Sequence, residues 1–154
     1  MEVQFELVMV LKLIVAFAFG AFIGYDREKK DADAGIRTYA AVCFGSTLFT
    51  AVAHEFQDIG SASRIIANIV VGIGFVGAGV IYRNNTSANA QGLTTLATVW
   101  CTAAVGVAVG VDMFILAAVA TFLLYFLLSL DRQAWYTRWK NKIKRKGEKQ
   151  ERTI

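Results

Sequence analysis

The stretch LTTLATVWCTAAVGVAVGVDMFILAAVATFLLYFLLSL, residues 93–130, contains a single charged side chain, Asp112. A membrane-crossing helix needs about 20 mostly apolar residues, so a run of this length exceeds what one crossing requires. We therefore expect two membrane helices, residues 93–111 and 113–130, joined by a tight turn around Gly110 and Asp112. The sequence thus predicts a helical hairpin that crosses a lipid bilayer twice.

Three further apolar segments precede this hairpin. Residues 7–25 are interrupted only by Lys12, residues 65–82 carry no charge, and residues 38–53 are uncharged but short. Together the segments predict an all-α fold, a polytopic bundle of about five transmembrane helices within residues 1–130. A cleavable signal peptide is an alternative for the first segment, but no basic residue precedes it, which disfavours that interpretation.

The overall composition excludes a small soluble enzyme. Of 154 residues, 56% are hydrophobic and only 18% are charged, and a soluble domain of this size cannot bury so much apolar surface. The chain contains no proline and two cysteines, Cys43 and Cys101, so a disulfide scaffold is not expected. Both cysteines lie in apolar runs, where we expect them to pack as small hydrophobic side chains.

The distribution of basic residues predicts the orientation. Nine of the 16 Lys and Arg residues lie in the tail, residues 131–154, and the side opposite the tail has only Arg64. Basic residues accumulate on the cytoplasmic side, so we expect the N-terminus outside and the tail inside the cell. Trp135 and Trp139 among the tail's basic residues indicate a short interfacial helix, with the bilayer and not nucleic acid as its partner.

Small residues recur every four positions in several segments, and this spacing predicts close packing between membrane helices. A threonine ridge on the fourth segment has a second interpretation, a polar path through the bilayer. Each hydroxyl can bond to the preceding helical turn, however, so a packing seam is favoured. The predicted packing residues are Gly20, Gly24, Gly74, Ala78, Thr94, Thr98, Thr102, Gly106 and Gly110.

Gly72, Gly74 and Gly77 form a GxGxxG pattern. Dinucleotide binding needs a strand before this pattern and an amphipathic helix after it, whereas here it lies inside an apolar membrane-length segment. No cofactor is therefore predicted. The glycines favour tight helix packing, and a bend beside a functional cavity remains the alternative.

Two polar side chains, Lys12 and Asn68, lie inside predicted spans. Lys12 is close to the outer end of its segment, so we expect its ammonium group to snorkel to the interface. The alternative is that Lys12 faces the bundle interior and pairs with an acid. On the outer side, the spacing of carboxylates matches no pattern of magnesium ligands, so no metal site is predicted. The outer-side residues considered are His54, Glu55, Asp58 and Asp112.

The densest polar region outside the tail is DREKKDADAGIRT, residues 26–38. Asp26 and Glu28 follow the first segment closely, and Arg37 at the start of the second is placed to fold back onto them. Ionisable groups at this depth are costly and often mark functional sites. The sequence leaves two interpretations, a structural clasp or a site that binds a partner or an ion.

Three blocks of sequence, in order along the chain, carry a resemblance to one family. Residues 20–28 (GAFIGYDRE) and 34–38 (AGIRT) resemble a family pattern GxxxGxERE followed by AGLRT. The second block is RIIA at residues 64–67 leading into GIGFVGAGVI at 72–81, and the third is GLTT at 92–95. Together they resemble the MgtC/SapB family of bacterial inner-membrane proteins.

The resemblance implies a non-enzymatic regulator that acts in magnesium limitation, acid stress or virulence through contacts with other membrane proteins, including the proton-translocating ATP synthase. We also expect a homo-oligomer, with a dimer favoured. The alternative function is a small transporter or channel for Mg²⁺ or H⁺, with Asn68 and the threonine ridge lining its path. The cytoplasmic-face site implied by the family motif comprises Asp26, Arg27, Glu28, Arg37 and Thr38.

Two features depart from the family pattern. Asp26 stands where the family usually has Glu, which keeps the carboxylate and shortens its reach. Many members also carry a cytoplasmic domain resembling the ACT fold, where this sequence has a short basic tail. Functions that need that domain are therefore not implied here.

Overall fold

A computed structural model of the chain describes residues 3–55, 58–83 and 91–130. These residues form helices and no strands, which confirms the predicted all-α fold. The helices are α1 (Val3–Glu28), α2 (Ile36–His54), α3 (Ile59–Arg83), α4 (Gln91–Gly110) and α5 (Phe114–Ser129).

Helices α1 to α4 are long and apolar enough to cross a membrane. Helix α5 is equally apolar but has 16 residues, a length of about 24 Å, against a hydrocarbon thickness of about 30 Å. A fifth crossing therefore stays a prediction. The predicted interfacial helix in residues 131–154 lies outside the described residues.

The chain reverses direction between α4 and α5 at Asp112, where the sequence predicts a turn. Asp112 has a φ of 65°, in the left-handed region that Asp and Asn tolerate better than most residues. The amide N of Met113 donates to the carbonyl oxygen of Ala108 at 2.8 Å. Helix α3, by contrast, continues without a break through its glycines, and a bend there stays a prediction.

Contacts between distant residues show that successive helices alternate in direction. Gly24 near the end of α1 faces Ile36 at the start of α2, and Arg27 bonds to Thr95 near the start of α4. Helix α4 contacts each of the other four helices and is therefore the centre of the bundle. All ends predicted to be cytoplasmic thus lie at the same end of the bundle.

Two glycines let α2 approach its neighbours to backbone distance. A Cβ atom on Gly20 would lie 2.5 Å from the carbonyl oxygen of Tyr39. One on Gly106 would overlap the carbonyl oxygen of Cys43 and lie 2.9 Å from the Cβ of Ser46. Side chains larger than hydrogen do not fit there, so α2 is held between α1 and α4 by glycine contacts. Gly24 and Gly110 make similar contacts, with Ile36 and Thr50.

The prediction for α3 needs a correction. Gly74 and Ala78 are exposed, and no atom of the described part of the chain lies within 4 Å of a Cβ built on Gly74. Gly77 makes the contact instead, because a Cβ at that position would overlap the side chain of Leu96 in α4. The four-residue spacing identifies a face of small residues, but inside this chain α3 packs through a different face.

Candidate functional site

A cluster of charged and hydroxyl side chains lies at one end of the bundle, where α1 and α5 end and α2 and α4 begin. We call it the charged cluster, and define it as Asp26, Arg27, Lys30, Tyr39, Thr95 and Thr98. Asp26 and Arg27 are 1% and 8% exposed. Charged side chains are rarely so buried unless they are paired with an opposite charge or hydrogen-bonded. The family motif predicted the first two of these residues as a site.

Asp26 forms an ion pair with Lys30, whose Nζ lies 2.9 Å from Oδ2 of the acid. The same ammonium group donates to the carbonyl oxygen of Leu128 in the last turn of α5. Carbonyls at a helix C-terminus lack partners within the helix, so a cation is favourable there. Lys30 therefore compensates the buried acid and ties α1 to α5. The sequence analysis missed this residue, although its four-residue separation from Asp26 was a usable signal.

Arg27 connects α1 to α4. Its Nη2 donates to Thr95 Oγ1 at 2.7 Å, a buried hydrogen bond. One turn deeper, Tyr39 Oη and Thr98 Oγ1 are 2.6 Å apart. Because the Thr98 hydroxyl also donates to the carbonyl oxygen of Thr94 at 2.9 Å, Tyr39 is the donor in the shared bond. The cluster is thus a hydrogen-bonded junction of four helices, α1, α2, α4 and, through Lys30, α5.

The remaining predicted site residues lie at the surface beside the charged cluster. Glu28 accepts a hydrogen bond from the backbone N of Ile36 at 2.8 Å and so caps α2. Arg37 is exposed and Thr38 is half-buried. Within the described ranges Arg37 forms no ion pair with Asp26 or Glu28, so the expected fold-back is not observed. Asp26 pairs with Lys30 instead, and Glu28 accepts from the backbone N of Ile36 at the start of α2.

The threonine ridge of α4 packs against α2, with one correction to its predicted members. Thr94 is exposed, and Thr95 is the buried residue at that level. Thr102 Oγ1 donates to the carbonyl oxygen of Thr98 at 2.8 Å, and Thr47 of α2 donates to that of Gly106 at 2.7 Å. These hydroxyls bond to backbone carbonyls, which agrees with the favoured packing seam.

At the opposite end of the bundle, the expectation for Lys12 is wrong and its alternative is confirmed. Lys12 is 4% exposed. Its Nζ lies 2.8 Å from Asp112 Oδ2 and 3.2 Å from the carbonyl oxygen of Gly110. The turn between α4 and α5 places both acceptors over α1. The ammonium group is therefore buried and paired, while the Asp112 side chain is 61% exposed at this end of the bundle.

This ion pair yields a stability prediction. We expect Asp112→Asn to lower the free energy of unfolding by about 1–3 kcal/mol, because Lys12 remains buried without its counter-ion. Asn tolerates positive φ as Asp does, so the substitution does not strain the backbone of the turn. The measurement is denaturant-induced unfolding of the purified protein in mixed micelles.

The control for this prediction is Asp31→Asn. Asp31 also has positive φ, 46°, and is exposed, so this variant should match the native protein. Adding Lys12→Met to Asp112→Asn removes the buried charge and should recover most of the loss. Equal stability of Asp112→Asn and the native protein would contradict the assignment.

Two of the outer-side residues considered as metal ligands, Asp58 and Asp112, make other contacts. Asp58 accepts hydrogen bonds from the Ser61 hydroxyl at 2.6 Å and from the backbone N of Ser61 and Gly60, which caps the start of α3. These bonds, the Ser61 hydroxyl first, hold the pKa of Asp58 below its ordinary value. Asp112 is paired with Lys12. Within the described residues, no group of three or more His, Cys, Asp and Glu side chains converges on one point.

Asn68 does not line a path through the bundle. It is exposed on α3 and borders a groove of about 600 Å³ between α2 and α3. The groove is lined almost entirely by apolar side chains and glycines, among them Gly45 and Gly72.

Comparison with known proteins places most of this bundle in one group. A family model described as the MgtC family matches residues 13–135. The protein named Protein MgtC from Brucella abortus (strain 2308) is 40% identical over 117 residues, which cover 76% of this chain and 48% of the relative. Protein MgtC from Salmonella typhimurium (strain 14028s / SGSC 2262) is 41% identical over 125 residues, 81% of this chain and 53% of the relative. The chain spans about half the length of these relatives, and no solved structure matches it.

Proposed function

Because the chain belongs to the MgtC family, we propose that it is a non-enzymatic regulator in the bacterial inner membrane that acts by contacting other membrane proteins. Its proposed setting is magnesium limitation, acid stress or survival inside host cells. The proton-translocating ATP synthase is one candidate partner. The four membrane-length helices support a multi-pass protein of this kind.

The observation that carries the proposal is the rigid charged surface at one end of the bundle. The Arg27–Thr95 bond joins the end of α1 to α4, and Lys30, which pairs with Asp26, joins it to the carbonyl oxygen of Leu128 in α5. The exposed side chains of Glu28, Lys29 and Arg37 are therefore displayed on a scaffold that does not need to rearrange. A preorganised, mixed-charge surface favours recognition of a complementary protein, because little ordering entropy is lost on binding.

The proposed orientation places this charged surface in the cytoplasm and the Lys12–Asp112 pair at the outer end. The excess of basic residues on the tail side supports it. Labelling of a cysteine at Asp31 by a membrane-impermeant thiol reagent from outside the cell would contradict this orientation.

The hydrogen bonds of three threonine hydroxyls at the α2–α4 contact support a regulator over a cation transporter. A transporter needs polar groups that remain available to replace the hydration shell of an ion. Here Thr98, Thr102 and Thr47 donate to backbone carbonyls, and Gly106 packs at backbone distance against α2. The middle of the α2–α4 contact is therefore filled by protein atoms.

We expect Arg37→Glu to weaken capture of a membrane partner by about tenfold or more, since reversing a charge in an interface creates like-charge repulsion. The measurement is crosslinking in native membranes, with captured proteins identified and quantified against the native chain. Arg64→Glu is the matched control, because Arg64 is also an exposed arginine but lies at the opposite end of the bundle. Equal capture by Arg37→Glu and the native chain would refute a docking role for this surface.

Purified protein in liposomes tests the alternative function. We expect no Mg²⁺ or H⁺ flux above that of empty liposomes. Flux that disappears on Asp26→Ala or Glu28→Ala would establish a transporter and overturn the regulator.

A further inference from the structure

The side chain of Asn68 lies in an unfavourable position for a lone chain in a bilayer. The apolar span of α3 is Ile59–Gly79, 21 residues, and Asn68 is one residue from its middle. The side chain is exposed and forms no hydrogen bond with any residue that the structure describes. In a bilayer this position faces hydrocarbon, where a carboxamide without a partner is strongly disfavoured.

The residues that share this face of α3 have the spacing and the exposure of a surface that packs against another helix. Asn68, Gly72, Phe75 and Gly79 follow one another at steps of four, three and four, the spacing of a coiled-coil seam. Among the residues that the structure describes, no atom lies within 4 Å of a Cβ built on Gly72 or Gly79, and Phe75 is 76% exposed. Gly77, on the opposite face, makes the contact with α4. We call these four residues the outer seam of α3.

We propose that the outer seam of α3 packs against the same seam of a second copy of this chain, with the two Asn68 carboxamides hydrogen-bonded to each other across a two-fold axis along the membrane normal. Copies inserted by the same route have the same orientation, so this axis brings each residue opposite its counterpart at equal depth. A carboxamide carries both a donor NH₂ and an acceptor oxygen. Two carboxamide groups can therefore hydrogen-bond to each other, the NH₂ of one to the oxygen of the other, without a third polar group.

The glycines of the seam explain how the carboxamides come within hydrogen-bonding distance. Glycine allows helix backbones to approach closely in lipid, where van der Waals contact and interhelical hydrogen bonds drive association. Gly72 and Gly79 lie on either side of Phe75 and leave space for the partner's aromatic ring. The groove of about 600 Å³ beside Asn68 and Gly72 gives additional room to the partner helix.

This pairing is separate from the proposed regulatory contact, which uses the charged end of the bundle. A variant that abolishes the dimer and leaves capture of the membrane partner intact would therefore bear on this inference alone. Conversely, loss of capture by Arg37→Glu with an intact dimer would bear on the proposed function alone.

The first test measures association in phosphatidylcholine vesicles by energy transfer between labelled copies. We expect Asn68→Leu to raise the dissociation constant by about three- to thirtyfold, the range expected for an interhelical hydrogen bond in lipid. Asn68→Gln retains the carboxamide and should stay within about threefold of the native chain. A monomeric native chain, or equal association of Asn68→Leu and the native chain, would overturn the inference.

The second test locates the interface by disulfide formation in native membranes, in a background of Cys43→Ala and Cys101→Ala. Gly72→Cys and Gly79→Cys should each give a crosslinked dimer, because a two-fold axis places identical residues together. Phe122→Cys is the control, since Phe122 is 67% exposed on α5 and lies outside the seam. Crosslinking at Phe122→Cys with none at either seam position would overturn the inference, as would capture of a different protein at both seam positions.

Discussion

Gly106→Ala will lower the free energy of unfolding by about 3 kcal/mol, the upper end of the usual cost of overpacking. The added methyl group would overlap the carbonyl oxygen of Cys43 and lie 2.9 Å from the Cβ of Ser46. The first obstacle is backbone, which cannot change rotamer, so α2 and α4 must move apart. Their separation also strains the bond from Thr47 to the carbonyl oxygen of Gly106.

The matched control for this prediction is Gly45→Ala. Gly45 is also a helical glycine, and within residues 3–55, 58–83 and 91–130 no atom lies within 4 Å of a Cβ built on it. Alanine is a better helix former, so this variant should be neutral or stabilised by up to about 1 kcal/mol. Unfolding of both variants by denaturant in mixed micelles gives the comparison. If Gly106→Ala unfolds at the same denaturant concentration as Gly45→Ala, the close contact between α2 and α4 is wrong.

Lys30→Met is the second substitution for which we expect a large loss of stability, about 3 kcal/mol. It removes the ammonium group that lies 2.9 Å from the buried Asp26 carboxylate, and a buried carboxylate that loses an ion-pair partner costs about 3–5 kcal/mol. We choose the lower end because the Lys30 side chain is 22% exposed, so the pair is partly screened. The substitution also removes the bond to the carbonyl oxygen of Leu128, so α5 should become more accessible to hydrogen exchange.

Lys29→Met provides the control for this charge deletion. Lys29 is exposed and lies 4.1 Å from the centre of the Tyr25 ring, a contact worth under about 1 kcal/mol at a surface. Combining Asp26→Asn with Lys30→Met removes both charges and should recover at least about 1 kcal/mol of the loss, which a double-mutant cycle measures. Additive effects of the two single substitutions would show that Asp26 and Lys30 do not interact.

The sequence determined most of the helical framework. Runs of apolar residues located all five helices, and a single charged residue, Asp112, marked the turn between the last two. Small residues at four-residue spacing correctly pointed to Gly20 and Gly106 as close neighbours of another helix. These features depend on local composition and periodicity, which a sequence displays directly.

Pairing between helices depended on the tertiary structure. In a soluble bundle the apolar face identifies the buried side, but in α3 the face toward α4 and the outer face are both mostly apolar, because protein and lipid alike accept apolar side chains. Periodicity alone thus could not show that Gly77, and not Gly74, meets α4. Nor could it show that Lys12 reaches an acid 100 positions away along the chain. Such contacts arise only when the helices assemble, because ion pairs and backbone approaches are fixed by helix positions in space and not by neighbours in sequence.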